Sequence, residues 1–411
     1  MKTQSGALRV LRVDNYRLTW PALISSQLGR MMWVFASSIL IYTLTDSALL
    51  TQMVNVTVAA PQFLLGIFSG TIADAYNRRG VMFLSLILMA LFTFAGAFLA
   101  LFGLIEAWSI LALSTVIGIL YTVNQVTRRT FTFDVVGKDL LVHAMALDNM
   151  GTTLGFILAP LLASLFLSVA PDDVTRGVTW TYFAIATFYA ASGLLFFKVK
   201  QAWVQVRTPV RPSSAIANMS EGIKVVASSR VLIGIMGVTW ISNFFFSPHR
   251  TMVPVIGISV LHVGPGLLGL LGAAQGAGSL IGALYLSSRG TIRSQSFYYW
   301  FGATSSMALL AVFAASSNFP LSFIGLVSAG IGQAWFGAMQ ATLVLTAAPE
   351  HLRGRIMGIL NMAIGSQALG SLLLGIMSEW MGPGPALLSF ALFGAISTVV
   401  WVCIYKEMTK L

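Results

Sequence analysis

Long apolar runs separated by short polar connections make up most of this chain. The runs cover residues 18–44, 48–72, 81–104, 108–126, 141–169 and 178–197, then 231–260, 266–286, 297–315, 321–348, 356–381 and 386–405. Each is near or above the length of about 20 residues that a helix needs to cross a bilayer core. In lipid, backbone polar groups must be satisfied within the segment, and runs of this length achieve that as helices rather than as barrel strands. The pattern therefore predicts an all-α membrane protein with twelve transmembrane helices. A polar stretch carrying Pro209, Pro212, Ser213 and Ser214 divides the runs six and six. It predicts an N-terminal six-helix bundle at 1–197, a cytoplasmic linker at 198–230 and a C-terminal six-helix bundle at 231–411. Within the linker, residues 215–227 are expected to form an amphipathic surface helix.

Composition sharpens this picture. Hydrophobic residues make up 57% of the chain and charged residues 9%, against roughly 25% charged in soluble domains. The net charge of +11 does not mark a nucleic-acid partner, because the basic residues fall in alternate short connections. With both termini in the cytoplasm, 21 of the 24 Lys and Arg lie inside, Arg176 lies outside, and Arg30 and Arg250 lie within spans. That distribution follows the positive-inside bias and predicts a multi-pass membrane protein with the lipid bilayer as its constant partner. The single cysteine, Cys403, excludes an intramolecular disulfide and a cysteine-based metal site. No nucleophile–base pair and no metal-ligand cluster stands in the connections, so neither an enzyme nor a bound cofactor or metal is expected. No phosphate-binding G-x-x-x-x-G-K-[ST] loop occurs either.

Charge is most concentrated between the second and third runs, in Gly70-Thr-Ile-Ala-Asp74-Ala-Tyr-Asn-Arg78-Arg79-Gly80. A carboxylate and two guanidiniums this close together must lie at the water boundary. Asp74 and Arg78 share a face if the helix continues that far. The stretch resembles the signature of the major facilitator superfamily, which reads here G-x-x-x-D-x-x-x-R-R-G. A decayed counterpart, Gly282-Ala-Leu-Tyr-Leu-Ser-Ser-Arg289-Gly290, has Leu286 in the place of Asp74. The resemblance implies two pseudo-symmetric six-helix bundles working by alternating access. It implies a conformational gate of Gly70, Asp74, Arg78 and Arg79, with Arg353 and Arg355 at the start of the eleventh span. Asp74 would lie against the N-terminus of that span, where free N–H groups stabilise a carboxylate. Together with Pro349-Glu-His-Leu-Arg353-Gly-Arg355, the signature resembles the bacterial branch that contains the enterobactin exporter and related multidrug pumps. The fifth span reads Gly151-x-x-x-Gly155-x-x-x-Ala159-Pro160-x-x-Ala163, similar to the glycine- and proline-rich motif of superfamily exporters.

Two arginines within apolar runs point to the cargo. Arg30 and Arg250 lie 220 residues apart, close to the offset between the halves, and pseudo-symmetry would set them at comparable depth. An ion at membrane depth costs several kcal/mol unless paired or wetted, so they suggest an anionic group on the substrate or a buried acid. Other substrate-binding candidates are Gln27, Trp33, Gln52, Asn55, Tyr121 and Gln125 in the first half. The second half offers Trp240, Asn243, Phe246, Gln333, Gln340 and Asn361. Amides can hydrogen-bond a ligand without the cost of a charge, and aromatics supply flat contact area. Asp148 and His249 are the proton-coupling candidates. The resemblance to the exporter branch implies export of an amphipathic small molecule, a siderophore or drug-like compound, by a transporter of a bacterial inner membrane coupled to protons as an antiporter, and a monomer is expected. The alternatives are an importer or facilitator of a small organic anion or metabolite, and a non-transporting receptor or scaffold on the same fold.

Overall fold

Lipid leaves the apolar runs no choice but helix, and the computed structural model is helical throughout its regular elements. It describes residues 9–75, 77–199, 220, 222–289, 294–349 and 352–410. The elements are α1 (Asp14–Thr45), α2 (Ala48–Ala75), α3 (Arg78–Leu101), α4 (Ala107–Leu167) and α5 (Val174–Lys198). After the polar stretch come α6 (Arg230–Phe245), α7 (His249–Ser259), α8 (Pro265–Ser287), α9 (Gln295–Ala315) and α10 (Phe319–Ala347). The chain ends with α11 (Arg353–Gly365), α12 (Gln367–Met381), α13 (Pro383–Ile404) and a 3-10 turn at Lys406–Lys410. Among the described residues, eleven helical stretches are long and apolar enough to cross a membrane, and Ala48–Leu64 of α2 is a shorter one. Of the expected surface helix at 215–227, residues 222–227 are helical; the earlier positions, apart from Ser220, lie outside the described residues.

Three breaks depart from one helix per run. α4 carries two arms, Ala107–Arg128 and His143–Leu167, joined by helical turns rather than a loop. Only at Gly137, with φ 71° and ψ 179°, does its backbone leave helical geometry. Glycine tolerates such a φ because it has no Cβ. The seventh run divides into α6 and α7 just before Pro248, the N-cap of α7; a proline has no N–H to continue a helical ladder. The eleventh divides at Ser366 into α11 and α12.

Buried apolar side chains form two main cores. One draws on residues 22–199 and adds Leu268; the other draws on residues 232–408 and adds Ala48. Both additions sit where the two halves of the chain meet. There α8 lies against the second arm of α4 and α2 lies against α11 and α12. The first of these seams depends on small residues. A Cβ built on Gly276 would stand 2.9 Å from the backbone nitrogen of Ile157, and one on Gly272 would stand 2.6 Å from the Pro160 ring. Helices in lipid associate through such close backbone approach.

Both seams lie toward one face of the molecule. The N-terminal end of α2 meets the C-terminal end of α12, so α2 runs antiparallel to the α11–α12 pair. It follows that the start of α1 and the end of α13 share the opposite face. We refer to these as the far face and the terminal face.

Candidate functional site

Arg30 and Arg250 come from different halves, and the cavity that Arg250 lines is also lined by Met31, the residue after Arg30. Arg30, on α1, lays its guanidinium over the Tyr121 ring with 4.4 Å to the centroid. Arg250, in the first turn of α7, lays its own over the Phe156 ring of α4 at 4.6 Å. Each charge thus rests on an aromatic face that attracts cations. The Arg250 Nε points at Gln275 Oε1, 3.5 Å away. Beside Arg250 is a cavity of about 50 Å³ lined by Met31, Phe156, Pro160, His249, Gly272 and Gln275, among others. Two polar atoms near Arg30 are buried without a hydrogen-bond partner: its own Nε and the Tyr189 hydroxyl. The Tyr189 ring is held next to Arg30 because Gly29 leaves it room, a Cβ there meeting the ring at 3.1 Å.

An amide and hydroxyl chain runs away from this point within the first half. Gln62 Nε2 donates to Gln125 Oε1 (3.4 Å), Gln125 Nε2 to the Tyr121 hydroxyl (3.3 Å), and that hydroxyl to Gln27 Oε1 (3.1 Å). Gln27 Nε2 then donates to Thr152 Oγ1 (3.1 Å), which donates to the backbone oxygen of Asp148. Every donor points the same way, an arrangement in which successive bonds polarise one another. Asp148 itself stands at the seam of α1 and α4, where its Oδ1 accepts from the Tyr16 hydroxyl at 2.9 Å. His249 is buried, with Nδ1 2.6 Å from the Phe246 oxygen and Nε2 3.1 Å from Gln275 Oε1.

The far-face seam is tied by polar contacts between the halves. Gln52 Nε2 donates to the Pro248 oxygen (3.2 Å) and Gln52 Oε1 accepts from Thr251 (2.7 Å). Asn55 Nδ2 donates to Ser371 Oγ (2.7 Å). Gln52 and Asn55 therefore work at this closure, Gln52 through residues on either side of Arg250. The sequence reading did not single out Glu379, whose carboxylate at the end of α12 accepts from the Ser47 hydroxyl (2.7 Å) and from the Leu49 N–H (3.0 Å). Ser47 Oγ in turn accepts from the Leu50 N–H. The first turn of α2 is thus capped half by its own serine and half by a carboxylate from the other half of the chain, where the helix dipole favours negative charge.

At the terminal face, α2 ends at Ala75 and Asn77 caps α3, its side chain accepting from the Arg79 N–H. Arg78 therefore does not share a helix face with Asp74. It pairs with Asp134, in the turns between the arms of α4. Arg79 donates to the Phe197 oxygen at the end of α5. Arg353 Nε donates to the Leu345 oxygen at the end of α10 (3.0 Å), and Arg355 packs beside Gly222. Gly70 and Asp74 lie in α2, in a stretch whose side-chain surroundings fall outside the described residues.

Several candidates are placed elsewhere. Trp33 is fully buried inside the first half, its indole N–H donating to Ser114 Oγ (3.0 Å) and its ring stacked on Tyr182. Trp240 is 41% exposed and lines an outer groove between α6 and α13 with Gly237 and Trp401. Asn243 donates to the Thr239 oxygen of its own helix (2.8 Å), and Phe246 is buried in the second core. Gln333 Oε1 and Gln340 Nε2, both on α10, are buried without a hydrogen-bond partner, and Asn361 is half-buried on α11.

The model of the transmembrane secretion effectors, a family of major facilitator transporters, matches residues 5–409. The chain belongs to that family. Among relatives of this secretion effector, the enterobactin exporter EntS of Citrobacter koseri is 26% identical over 344 residues, 80% of this chain and 77% of that protein. The multidrug efflux pump Tap of Mycolicibacterium fortuitum is 23% identical over 384 residues, covering 90% and 91% of the two chains. The crystal structure of the nucleoside transporter NupG matches with a TM-score of 0.71 at 14% identity, covering 95% of this chain and 99% of that one. The fold is thus that of major facilitator transporters, and the secretion effector is a membrane transporter.

Proposed function

We propose that this transporter exports an amphipathic small molecule by alternating access, coupled to inward movement of protons. It works as a monomer in the bacterial inner membrane with both termini cytoplasmic. In this reading the halves are six-helix bundles at 1–197 and 231–411, α2 supplying the twelfth span, joined by the linker at 198–230. The observation that carries the reading is the seam. Two separate cores meet through glycine contacts and exchangeable hydrogen bonds at the far face, while Arg30 and Arg250 lie between the halves. That is how a binding region would be closed to one side of a membrane and offered to the other. The direction rests on the likeness to EntS, an enterobactin exporter, and to Tap, a multidrug efflux pump.

The test uses inside-out and right-side-out vesicles containing the full chain and a panel of siderophores, amphipathic drugs and organic acids. Export predicts accumulation of at least one compound in inside-out vesicles, abolished by collapsing the proton gradient. Accumulation only in right-side-out vesicles would support a second reading, an importer of a small organic anion, which the arginine pair favours as to charge. No flux of any compound in either orientation would leave a receptor or scaffold as the better account.

A further inference from the structure

We infer that Arg30 and Arg250 form a two-part clamp for one oxyanion, so that the transported molecule carries a carboxylate, sulfonate or phosphate on an apolar, preferably aromatic, body. This deepens the proposed function and rests on the chain being a transporter, although it is independent of direction.

The argument starts from charge balance. Arginine stays protonated in proteins, so neither group can shed its charge to escape the membrane. Of the chain's thirteen acids, Asp148 alone lies well inside an apolar run, and Asp148 is engaged by Tyr16 toward the terminal face. Among the described residues, Arg78 pairs with Asp134 and Arg230 with Glu407, whereas no carboxylate pairs with Arg30 or Arg250. Arg30 instead contacts a ring face and the Met31 sulfur, and keeps its Nε buried and unpartnered. A buried donor left unmade is costly, and a second guanidinium at the same seam between the halves adds to that cost. A single bound oxyanion removes both penalties.

Geometry narrows the ligand further. A guanidinium offers a planar fork of donors that matches the paired oxygens of a carboxylate or phosphate. The partnerless Tyr189 hydroxyl, on a ring packed against Gly29 beside Arg30, supplies one more donor. Tyr121 and Phe156 floor the two guanidiniums, and Met31, Phe35 and Leu271 line the cavity beside Arg250. The polar donors thus stand beside aromatic and aliphatic surface, the lining expected for an amphiphile with one charged end. Because the arginines come from different halves, the anion would also bridge the halves and offset their mutual repulsion, so occupancy would favour the state in which they are close.

The test uses the full-length protein in lipid nanodiscs and a matched pair of probes, naphthalene-1-sulfonate and the neutral naphthalene-1-sulfonamide, read by quenching of the native tryptophans. Sodium sulfate against sodium chloride at equal ionic strength gives a second readout, thermal stability. The wild type is expected to bind the sulfonate at least tenfold more tightly than the sulfonamide and to gain about 2 °C or more in sulfate. Arg30→Gln and Arg250→Gln should each cut the preference for the sulfonate about tenfold. The lysine replacements should retain part of it, and Arg176→Gln, on an exposed far-face turn, should change nothing. Equal affinity for the two probes, no stabilisation of the wild type by sulfate, or an undiminished preference in the double glutamine variant would each overturn the clamp. Export of a neutral compound from vesicles alongside such a result would show that the clamp has failed while the transport reading stands.

Discussion

Glu379 gives the most direct handle on how the halves are held together. Its carboxylate accepts from the Ser47 hydroxyl and the Leu49 N–H across the far-face seam. These contacts join α12 of one half to the start of α2 of the other, so opening the far face must break them. A charge-assisted hydrogen bond contributes about 1.5–3 kcal/mol where it is shielded, and a carboxylate at a helix N-terminus about 0.3–1 kcal/mol. Glu379 is largely exposed, so water replaces much of what is lost on opening, and we expect a net contribution of about 1–2 kcal/mol. Glu379→Ala should then shift the balance between closed and open far face by roughly 5- to 30-fold. Glu379→Gln, which keeps an acceptor but loses the charge, should shift it by about 2- to 5-fold. The assay is spin-label distance measurement in nanodiscs, with Leu104→Cys in one half and Ser317→Cys in the other, on a Cys403→Ser background. Both label positions are exposed, and Cys403→Ser removes the single native thiol. The longer-distance population should grow in the order wild type, glutamine, alanine. Identical distance distributions in the three proteins would refute the latch.

Other substitutions follow from the same contacts. Gly276→Leu places a side chain where even a Cβ would press on the Phe156–Ile157 backbone, so the same spin-label pair should report a far face held open and transport should fall at least tenfold. Arg78→Ala removes the partner of Asp134, a pair only 15% exposed on each side. It should cost about 1–2 kcal/mol, and a double-mutant cycle with Asp134→Ala should return a coupling near that size in thermal unfolding. Trp33→Phe should lose about 1 kcal/mol with the Ser114 bond and leave sulfonate binding unchanged, since Trp33 lies inside one half. Asp148→Asn should weaken the response of transport to an imposed pH gradient, and an unaltered response would make Asp148 a structural partner of Tyr16.

Membrane immersion explains why so much of the architecture was legible in sequence. Lipid forces each apolar run into a helix, and the run boundaries fall within a few residues of the helix ends, as with 48–72 against Ala48–Ala75 and 297–315 against Gln295–Ala315. The side of a helix that a residue faces was much less legible. The α6 and α13 helices are apolar nearly all round, so no stripe distinguishes an inward Trp240 from the outward one observed. Trp33 and Asn243 misled for a related reason: polar groups in lipid can be satisfied locally, by Ser114 in one case and by the backbone one turn earlier in the other. Long-range pairs were invisible. The local spacing put Asp74 and Arg78 on one helix face, but α2 stops at Ala75, and Asp134, which pairs with Arg78, comes from 56 residues further on. Glu379 read as one more acid in an outer connection, because nothing in its neighbourhood shows that Ser47 and Leu49 come to it. The glycines at 269, 272 and 276 could have been found. Spacings of three and four put them on one helix face, the pattern of close packing in lipid.

The central claim is that this chain moves an amphipathic molecule between its two faces by opening the seam it holds closed here. The most direct measurement places the purified protein in liposomes with its orientation determined, imposes a pH gradient of either sign, and follows naphthalene-1-sulfonate across the membrane. The account predicts gradient-driven accumulation that reverses with the sign of the gradient and disappears in the Arg30→Gln/Arg250→Gln protein. Movement no faster than in protein-free liposomes under both gradients would contradict it.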